Sequence, residues 1–312
     1  MRTDRWIIGL TLLFVLGVAE QAFAWGPATH VGLGASILGD LALLPGVIGA
    51  ILARHGWSYL YGNIAADVVF AKRLSRVKQF CHHWTTGFRL LDAATDAPSK
   101  AFAYGYLSHL AADTVAHGKY VPRQIIVSDC SINWGHFYWE LRAENVAPEA
   151  DRKLLDRVLH LDHDEHDRDL APHITDTFLP YPMNRLLFHG MNAIAVKRRF
   201  RRTVDACSLF ARQPLPHALL AGYRDESLER IMSVLTLGVQ SPVLWDDPNG
   251  TSALMSLHVR RREMRRLRRR GLSLQRRMIE TSHGLEPVRS GAATRASASP
   301  VAAGSPIFTL TG

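Results

Sequence analysis

The sequence predicts an all-α fold, a multi-helix bundle, and three observations support this prediction. Apolar residues recur at three- and four-residue spacing, as on one face of a helix, in residues 31–54, 99–117, 132–144, 150–160 and 216–235. No stretch alternates apolar and polar residues between turn signals at hairpin spacing. Proline residues lie between the apolar segments, as at Pro122, Pro148 and Pro172, where they favour helix ends.

Length and composition are those of a globular chain with room for one large core or two small ones. The chain has 312 residues, of which 47% are hydrophobic and 21% charged. The mean hydropathy of −0.03 excludes a polytopic membrane protein, and the apolar content excludes disorder of the whole chain. The three cysteines (Cys81, Cys130 and Cys207) allow one disulfide at most and therefore no disulfide framework.

The first 24 residues have the features of a secretory signal peptide. Arg2 and Arg5 give a basic start, and an apolar run of about a dozen residues follows at 7–18. Ala22 and Ala24 fit the small-x-small cleavage rule, so cleavage after Ala24 would leave Trp25 at the mature N-terminus. A retained anchor is the alternative, although the run is shorter than the ~20 residues of a spanning helix. We therefore expect a secreted or periplasmic protein.

The positive charge is confined to one segment near the C-terminus. Ten arginines and a single acid, Glu263, lie between residues 260 and 277, and they account for the whole net charge of +9. The sequence predicts four parts: a signal peptide (1–24), a helical domain (25–250), an Arg-rich helix (251–282) and a disordered tail (283–312). The arginines at 260–277 are either a solvated arm or a peripheral contact with an anionic membrane or lipopolysaccharide.

The central apolar segment carries a stripe of histidine and aspartate. His109, Asp113 and His117 are spaced i, i+4 and i+8, which places them within an arc of roughly 80° on a helix. Small apolar residues separate them, so the stripe faces the core, where its polar groups need compensation. A metal would provide it, because imidazole nitrogen and carboxylate oxygen are common zinc ligands. A polar core network is the alternative, and Gly118 suits the end of this helix.

Four further segments offer candidate ligands. The candidates are His136 with Glu140, the adjacent pair His82 and His83, Asp67, and His30. Each has an ordinary explanation, because i,i+4 His/Glu pairs are common on helix surfaces and a lone buried histidine is usually a satisfied core residue. Residues 162–169 are also dense in His, Asp and Glu, but we interpret them as a solvated acidic segment since they lack apolar residues.

Together, these residues resemble the zinc-dependent phospholipase C family, which is related in fold to the zinc-dependent single-strand nucleases. That family is all-helical and secreted, holds three zinc ions in one cleft, and begins its mature chain with tryptophan. The resemblance covers about residues 25–144 and includes a residue of the right type at all nine ligand positions, in the family's order.

The resemblance implies a ligand set for each of three zinc ions. The first set is Trp25, through its amino group and carbonyl oxygen, His30 and Asp113. Asp113 would bridge to the second ion, whose other ligands are Asp67, His82 and His109. The third set is His117, His136 and Glu140. Asp67 is also the candidate general base. His82 is favoured over His83, and no carboxylate follows Trp25 closely, as one does in choline-selective members.

We therefore predict a zinc-dependent phosphodiester hydrolase, foremost a phospholipase C that releases diacylglycerol and a phosphorylated head group. A single-strand nuclease or 3′-nucleotidase on the same scaffold is the first alternative, because nucleic acid, like phospholipid, is a phosphodiester. The second is a non-catalytic, zinc-stabilised envelope protein, docked by its arginines on anionic lipid, lipopolysaccharide or nucleic acid. The sequence indicates neither the head group nor the oligomeric state.

Overall fold

The computed structural model describes residues 25–69, 80–174, 177, 179–195, 215–282 and 284–287. The predicted signal peptide, most of the predicted tail and Cys207 lie outside the described residues. Within the described ranges the chain is all-α, as predicted, and has no strand. The helices are α1 (Pro27–Gly39), α2 (Gly46–Arg54), α3 (Gly56–Ala65), α4 (Trp84–Ala93), α5 (Ala97–Val115), α6 (Val121–Ser128), α7 (Ile132–Asn145), α8 (Glu149–His160), α9 (Asp164–Leu170), α10 (Tyr181–Ala195), α11 (His217–Leu237), α12 (Thr251–Arg269) and α13 (Leu274–Thr281).

Helix α5 forms the centre of the bundle. Its N-terminus is capped by Asp96, whose side chain accepts a hydrogen bond from the Ser99 amide at 2.8 Å. From residue 105 onward every side chain of α5 is buried. The backbones of α3 and α5 are in direct contact where the two helices cross. A Cβ on Gly62 would lie 2.1 Å from the Phe102 carbonyl oxygen. The glycine therefore lets α3 bring its C-terminal end against the inward-facing stripe of α5.

Two predicted helices differ from the observed ones for local backbone reasons. The segment 31–54 forms α1, which ends at Gly39, then a short 3₁₀ turn (Leu41–Leu43) and α2, which begins directly after Pro45. The Arg-rich segment forms two helices instead of one: Gly271, at φ +77°, turns the chain between α12 and α13. The Arg260 guanidinium donates to the Thr281 carbonyl oxygen at 2.9 Å and ties the two together.

The segment 162–169, interpreted above as solvated, is partly buried, so that interpretation is wrong. His163, His166 and Asp167 lie inside the protein because α9 turns them towards α3. Asp167 Oδ1 accepts hydrogen bonds from the hydroxyls of Tyr61 (2.6 Å) and Tyr181 (2.7 Å). Its other oxygen lies 2.9 Å from Arg185 Nε, so this carboxylate is paired within the protein and holds α9 and α10 to α3.

His163 provides a test of this packing through pH. Burial lowers the pKa of His163 to about 4, while its Nε2 faces the Val158 carbonyl oxygen at 2.7 Å. Between pH 6.5 and 4 the unfolded chain binds this proton and the folded protein does not, so acid lowers the free energy of unfolding. On acidification, we expect the free energy of unfolding to fall by about 2–3 kcal/mol less in His163→Phe than in the unmodified protein. Urea unfolding at pH 7 and pH 4.5 measures it, and an equal pH slope in both proteins would contradict the prediction.

Among the described residues, none of the helices combines the length and the apolar composition that crossing a bilayer requires.

Candidate metal centre

Eight of the nine predicted ligands have side chains that are buried and gathered in one place. Helix α5 contributes two of them, α7 two and α1 one, and the remainder come from turns that follow α3, precede α4 or extend α5. The eight are His30, Asp67, His82, His109, Asp113, His117, His136 and Glu140. Helix periodicity explains the three residues near the end of α5, whereas only the tertiary fold brings the other five to them.

Asp113 lies at the centre of this group. Its Oδ1 is 3.2 Å from His30 Nε2, and its Oδ2 is 3.2 Å from His109 Nε2 and 3.3 Å from His82 Nε2. His117 Nε2 follows at 3.7 Å from the same Oδ2. Each oxygen of this one carboxylate thus faces at least one imidazole, as a ligand shared between two ions would.

The side chains form three groups. Within each group, every residue offers one nitrogen or oxygen that could bind a metal, and these atoms lie within 4.8 Å of one another. The groups are His30, His109 and Asp113; Asp67, His82 and His109; and His117, His136 and Glu140. The first two share His109, and Asp113 contacts a member of each of the three. The division corresponds closely to the three sets that the resemblance implies, although the identity of each ligand stays a prediction.

The unpaired atoms of this cluster fit a bound cation. Three buried atoms form no hydrogen bond of acceptable geometry with any described residue: the two ring nitrogens of His30 and Asp113 Oδ1. His109 Nε2 and His82 Nε2 face each other at 3.1 Å, and in each residue the other ring nitrogen is occupied. Buried polar atoms rarely lack partners, so imidazole nitrogens and carboxylate oxygens pointing inward fit a metal ion such as zinc.

The electrostatics of the cluster favour the neutral form of His30 and the charged form of Asp113. Burial lowers the pKa of His30, and the neighbouring His109 lowers it further. Burial alone would raise the pKa of Asp113, but the charge of His109 and the close imidazoles outweigh it and hold this pKa well below its usual range. Neutral imidazole and ionised carboxylate are the forms that bind metal.

His117 is presented by a π turn and not by a helix end, so the expectation that Gly118 ends α5 is wrong. Residues Ala116–Tyr120 continue α5 with wider turns and lead directly into α6. His117 Nδ1 lies 3.0 Å from His136 Nε2, which is 2.7 Å from Glu140 Oε1. Such bulges are frequent at functional sites because they redirect one side chain without ending the helix.

Trp25 is the ninth predicted ligand, and its indole is fixed in the core of the protein. The side chain is fully buried, its Nε1 donates to Ser227 Oγ at 3.2 Å, and its ring stacks on Tyr120 with centroids 5.1 Å apart. Residue 24 lies outside the described residues, so the role of the Trp25 amino group stays a prediction.

Glu144 anchors the chain that follows Trp25, and the sequence analysis missed it. Its carboxylate accepts hydrogen bonds from the amides of Ala28 (2.7 Å) and Thr29 (3.2 Å) at the N-terminus of α1. Gly26 packs so closely that a Cβ there would lie 2.3 Å from the Glu144 carboxyl carbon. Because Glu144 follows Glu140 by one turn of α7, it fixes the position of His30 relative to the third group.

Of the adjacent histidines, the structure places His82 in the cluster and leaves His83 exposed. His109 Nδ1 faces the Asn63 carbonyl oxygen at 2.9 Å, which leaves Nε2 directed at Asp113. The Asn249 amide group donates to the His82 carbonyl oxygen at 3.1 Å. Its neighbour Gly250, at φ +62°, packs on His117: a Cβ there would lie 2.5 Å from the His117 carbonyl oxygen.

Asn249 therefore acts as a positioning residue, and its removal should weaken zinc binding. We expect Asn249→Ala to lower zinc affinity about 10-fold, because outer partners of metal ligands carry effects of that size. The matched control is Asn192→Ala, which removes a buried amide that donates to the Phe188 carbonyl oxygen at 2.9 Å. Both variants should lose about 1 kcal/mol of unfolding free energy. Chelator competition measures zinc affinity, and equal affinity in the two variants would contradict the positioning role.

Comparison with known proteins gives one match. Residues 29–183 match a family model described as zinc dependent phospholipase C. No curated protein and no solved structure matches the chain. The matched segment contains all eight clustered side chains, whereas Asn249 and Gly250 lie beyond it.

Proposed function

Because the chain belongs to the zinc-dependent phospholipase C family, we propose that it is a secreted or periplasmic phospholipase C that binds three zinc ions. It would cleave the phosphodiester bond on the glycerol side and release diacylglycerol and a phosphorylated head group. The observation that supports this most is Asp113, whose two oxygens face imidazoles of neighbouring groups. A carboxylate placed in this way can join ions into one cluster.

Nine residues would hold the metal: the eight clustered side chains and the amino terminus at Trp25. When bound, zinc supplies positive charge against phosphate oxygens and lowers the pKa of a water molecule to about 7. The chain itself contributes Asp67, whose Oδ1 lies 3.3 Å from His82 Nε2 at the edge of the cluster. Its carboxylate would accept a proton from the attacking water, which makes Asp67 both a proposed ligand and the candidate general base.

The protein scaffold keeps these groups in place before substrate arrives. Asp113, His109 and Asp67 are almost fully buried, and each is carried by a helix or a tight turn of the bundle. Fixed charges in a site that excludes water act more strongly on a developing negative charge than mobile ones. The rigidity of α3 and α5, which pack at backbone distance, is therefore part of the proposed mechanism.

A substrate panel tests the proposal. Zinc-loaded protein beginning at Trp25 is assayed on phospholipid vesicles of different head groups and, in parallel, on single-stranded DNA and a 3′-nucleotide. Release of diacylglycerol with a phosphorylated head group supports the proposal. Cleavage of nucleic acid alone would favour the nuclease alternative. A full zinc content without turnover of any substrate would favour a non-catalytic envelope protein.

A further inference from the structure

Trp245 is almost fully exposed to solvent and lies close in the chain to the turn that contacts the metal centre. Trp245 is 92% exposed, the highest value among the large apolar side chains of the described residues. It ends the 3₁₀ turn Pro242–Trp245 and directly precedes the turn that holds Asn249 and Gly250 against His82 and His117. The backbone beside it is anchored, because Trp84 Nε1 donates to the Asp246 carbonyl oxygen at 3.0 Å. An exposed indole on a fixed turn indicates a contact surface.

The outer side of α12 continues from this turn with apolar and then basic residues. Five exposed positions follow helical spacing within an arc of roughly 80°: Met255, Val259, Arg262, Arg266 and Arg269. The opposite side of the helix is buried through Leu257, Met264 and Leu267. Helix α12 is therefore packed on the body of the protein, and its outer side stays presented to solvent.

The arginines on this side carry an excess of charge. Arg266 lies 3.6 Å from Glu263, a distance at which a surface pair contributes little. Arg262 and Arg269, on the same side, form no ion pair with any described residue. The surface made by Trp245, Met255, Val259 and these exposed arginines, named here the docking face, thus combines bulky apolar groups with unpaired positive charge.

We propose that the docking face binds the surface of an anionic phospholipid bilayer. Tryptophan is enriched at the level of lipid head groups, and arginine beside an anionic leaflet adds electrostatic attraction. Lipid is favoured over nucleic acid because Met255 and Val259 offer aliphatic surface, which suits acyl chains and not stacked bases. The inference rests on the proposed function in one respect: a phospholipase has to reach its substrate in a bilayer.

The test measures binding to vesicles of phosphatidylcholine alone and of phosphatidylcholine mixed with phosphatidylglycerol, using the full-length mature protein. We expect Arg262→Gln with Arg269→Gln to lower the affinity for the mixed vesicles about 10-fold or more at low salt. The charge-matched control is Arg54→Gln with Arg157→Gln, at two exposed arginines on α2 and α8. Trp245→Ser should also weaken binding several-fold. Its control, Trp134→Ser, removes an indole that is 57% exposed on α7.

Two outcomes would overturn the proposal. One is vesicle binding that falls equally in the docking-face variants and in their controls. The other is unchanged vesicle binding together with weaker binding of a single-stranded oligonucleotide, which would assign the arginines to nucleic acid. Hydrolysis of a short-chain, monomeric phospholipid separates this test from the proposed function. If that hydrolysis is absent in every protein, the proposed function fails, while the binding data still decide whether the docking face contacts lipid.

Discussion

Asp113→Asn is expected to reduce bound zinc from the proposed three ions to about one and to lower turnover about 100-fold or more. The substitution keeps the size of the side chain but removes the one negative charge that His30, His82 and His109 surround at 3.2–3.3 Å. The imidazoles of the first two groups lie closest to this carboxylate, whereas the nearest imidazole of the third group, His117, is 3.7 Å away. The third group keeps Glu140 next to His136 at 2.7 Å and should retain its ion.

Asp167→Asn is the matched control for this change. Asp167 is also a buried aspartate with several partners, but these are Tyr61, Tyr181 and Arg185 and not the imidazoles of the cluster. We expect this variant to lose stability, because a charged hydrogen-bonded group is replaced, and to keep its zinc content. Elemental analysis together with thermal unfolding distinguishes the two effects. A full zinc content and normal turnover in Asp113→Asn would exclude the central role of this carboxylate.

The sequence predicted those parts of the centre that depend on one helix. His109 and Asp113 lie on one side of α5, and His117 lies on the π turn that continues it, because their spacing is close to the helical period. The same period places His136 and Glu140 on one side of α7. The partnership of these residues with Asp67, His82 and His30 came from the family resemblance. Spacing within the chain carries no information about which turns meet across a bundle.

The residues that support the centre were not predicted, for identifiable reasons. Glu144 and Asn249 act through contacts with backbone groups 115 and 167 residues away in the chain, and no local pattern marks them. The burial of segment 162–169 was not predicted because its many charged residues suggested exposure. His163, Asp167 and Leu170 nevertheless follow helical spacing, and all three face inward. The π turn at His117 packs against Gly250, a distant contact that a helical pattern alone does not reveal.

The second large effect is expected at the N-terminus: one glycine placed ahead of Trp25 in the mature protein should remove about one zinc ion and most of the activity. An α-amino group, with a pKa of about 8, can lose its proton and bind metal, whereas an amide nitrogen cannot. By the same reasoning, a precursor that retains the predicted signal peptide would lack this ion until after export. Metal binding would then be coupled to processing.

Trp25→Phe gives the complementary test, because it keeps the amino group and removes the indole. That indole is fully buried and donates to Ser227 Oγ at 3.2 Å, so the variant should lose about 1–2 kcal/mol of stability. Its zinc content should stay at the level of the unmodified protein. The glycine-extended protein should show the reverse, with stability measured in excess chelator unchanged and one ion fewer. If the extended protein binds zinc and turns over substrate like the mature one, the amino group is not a ligand.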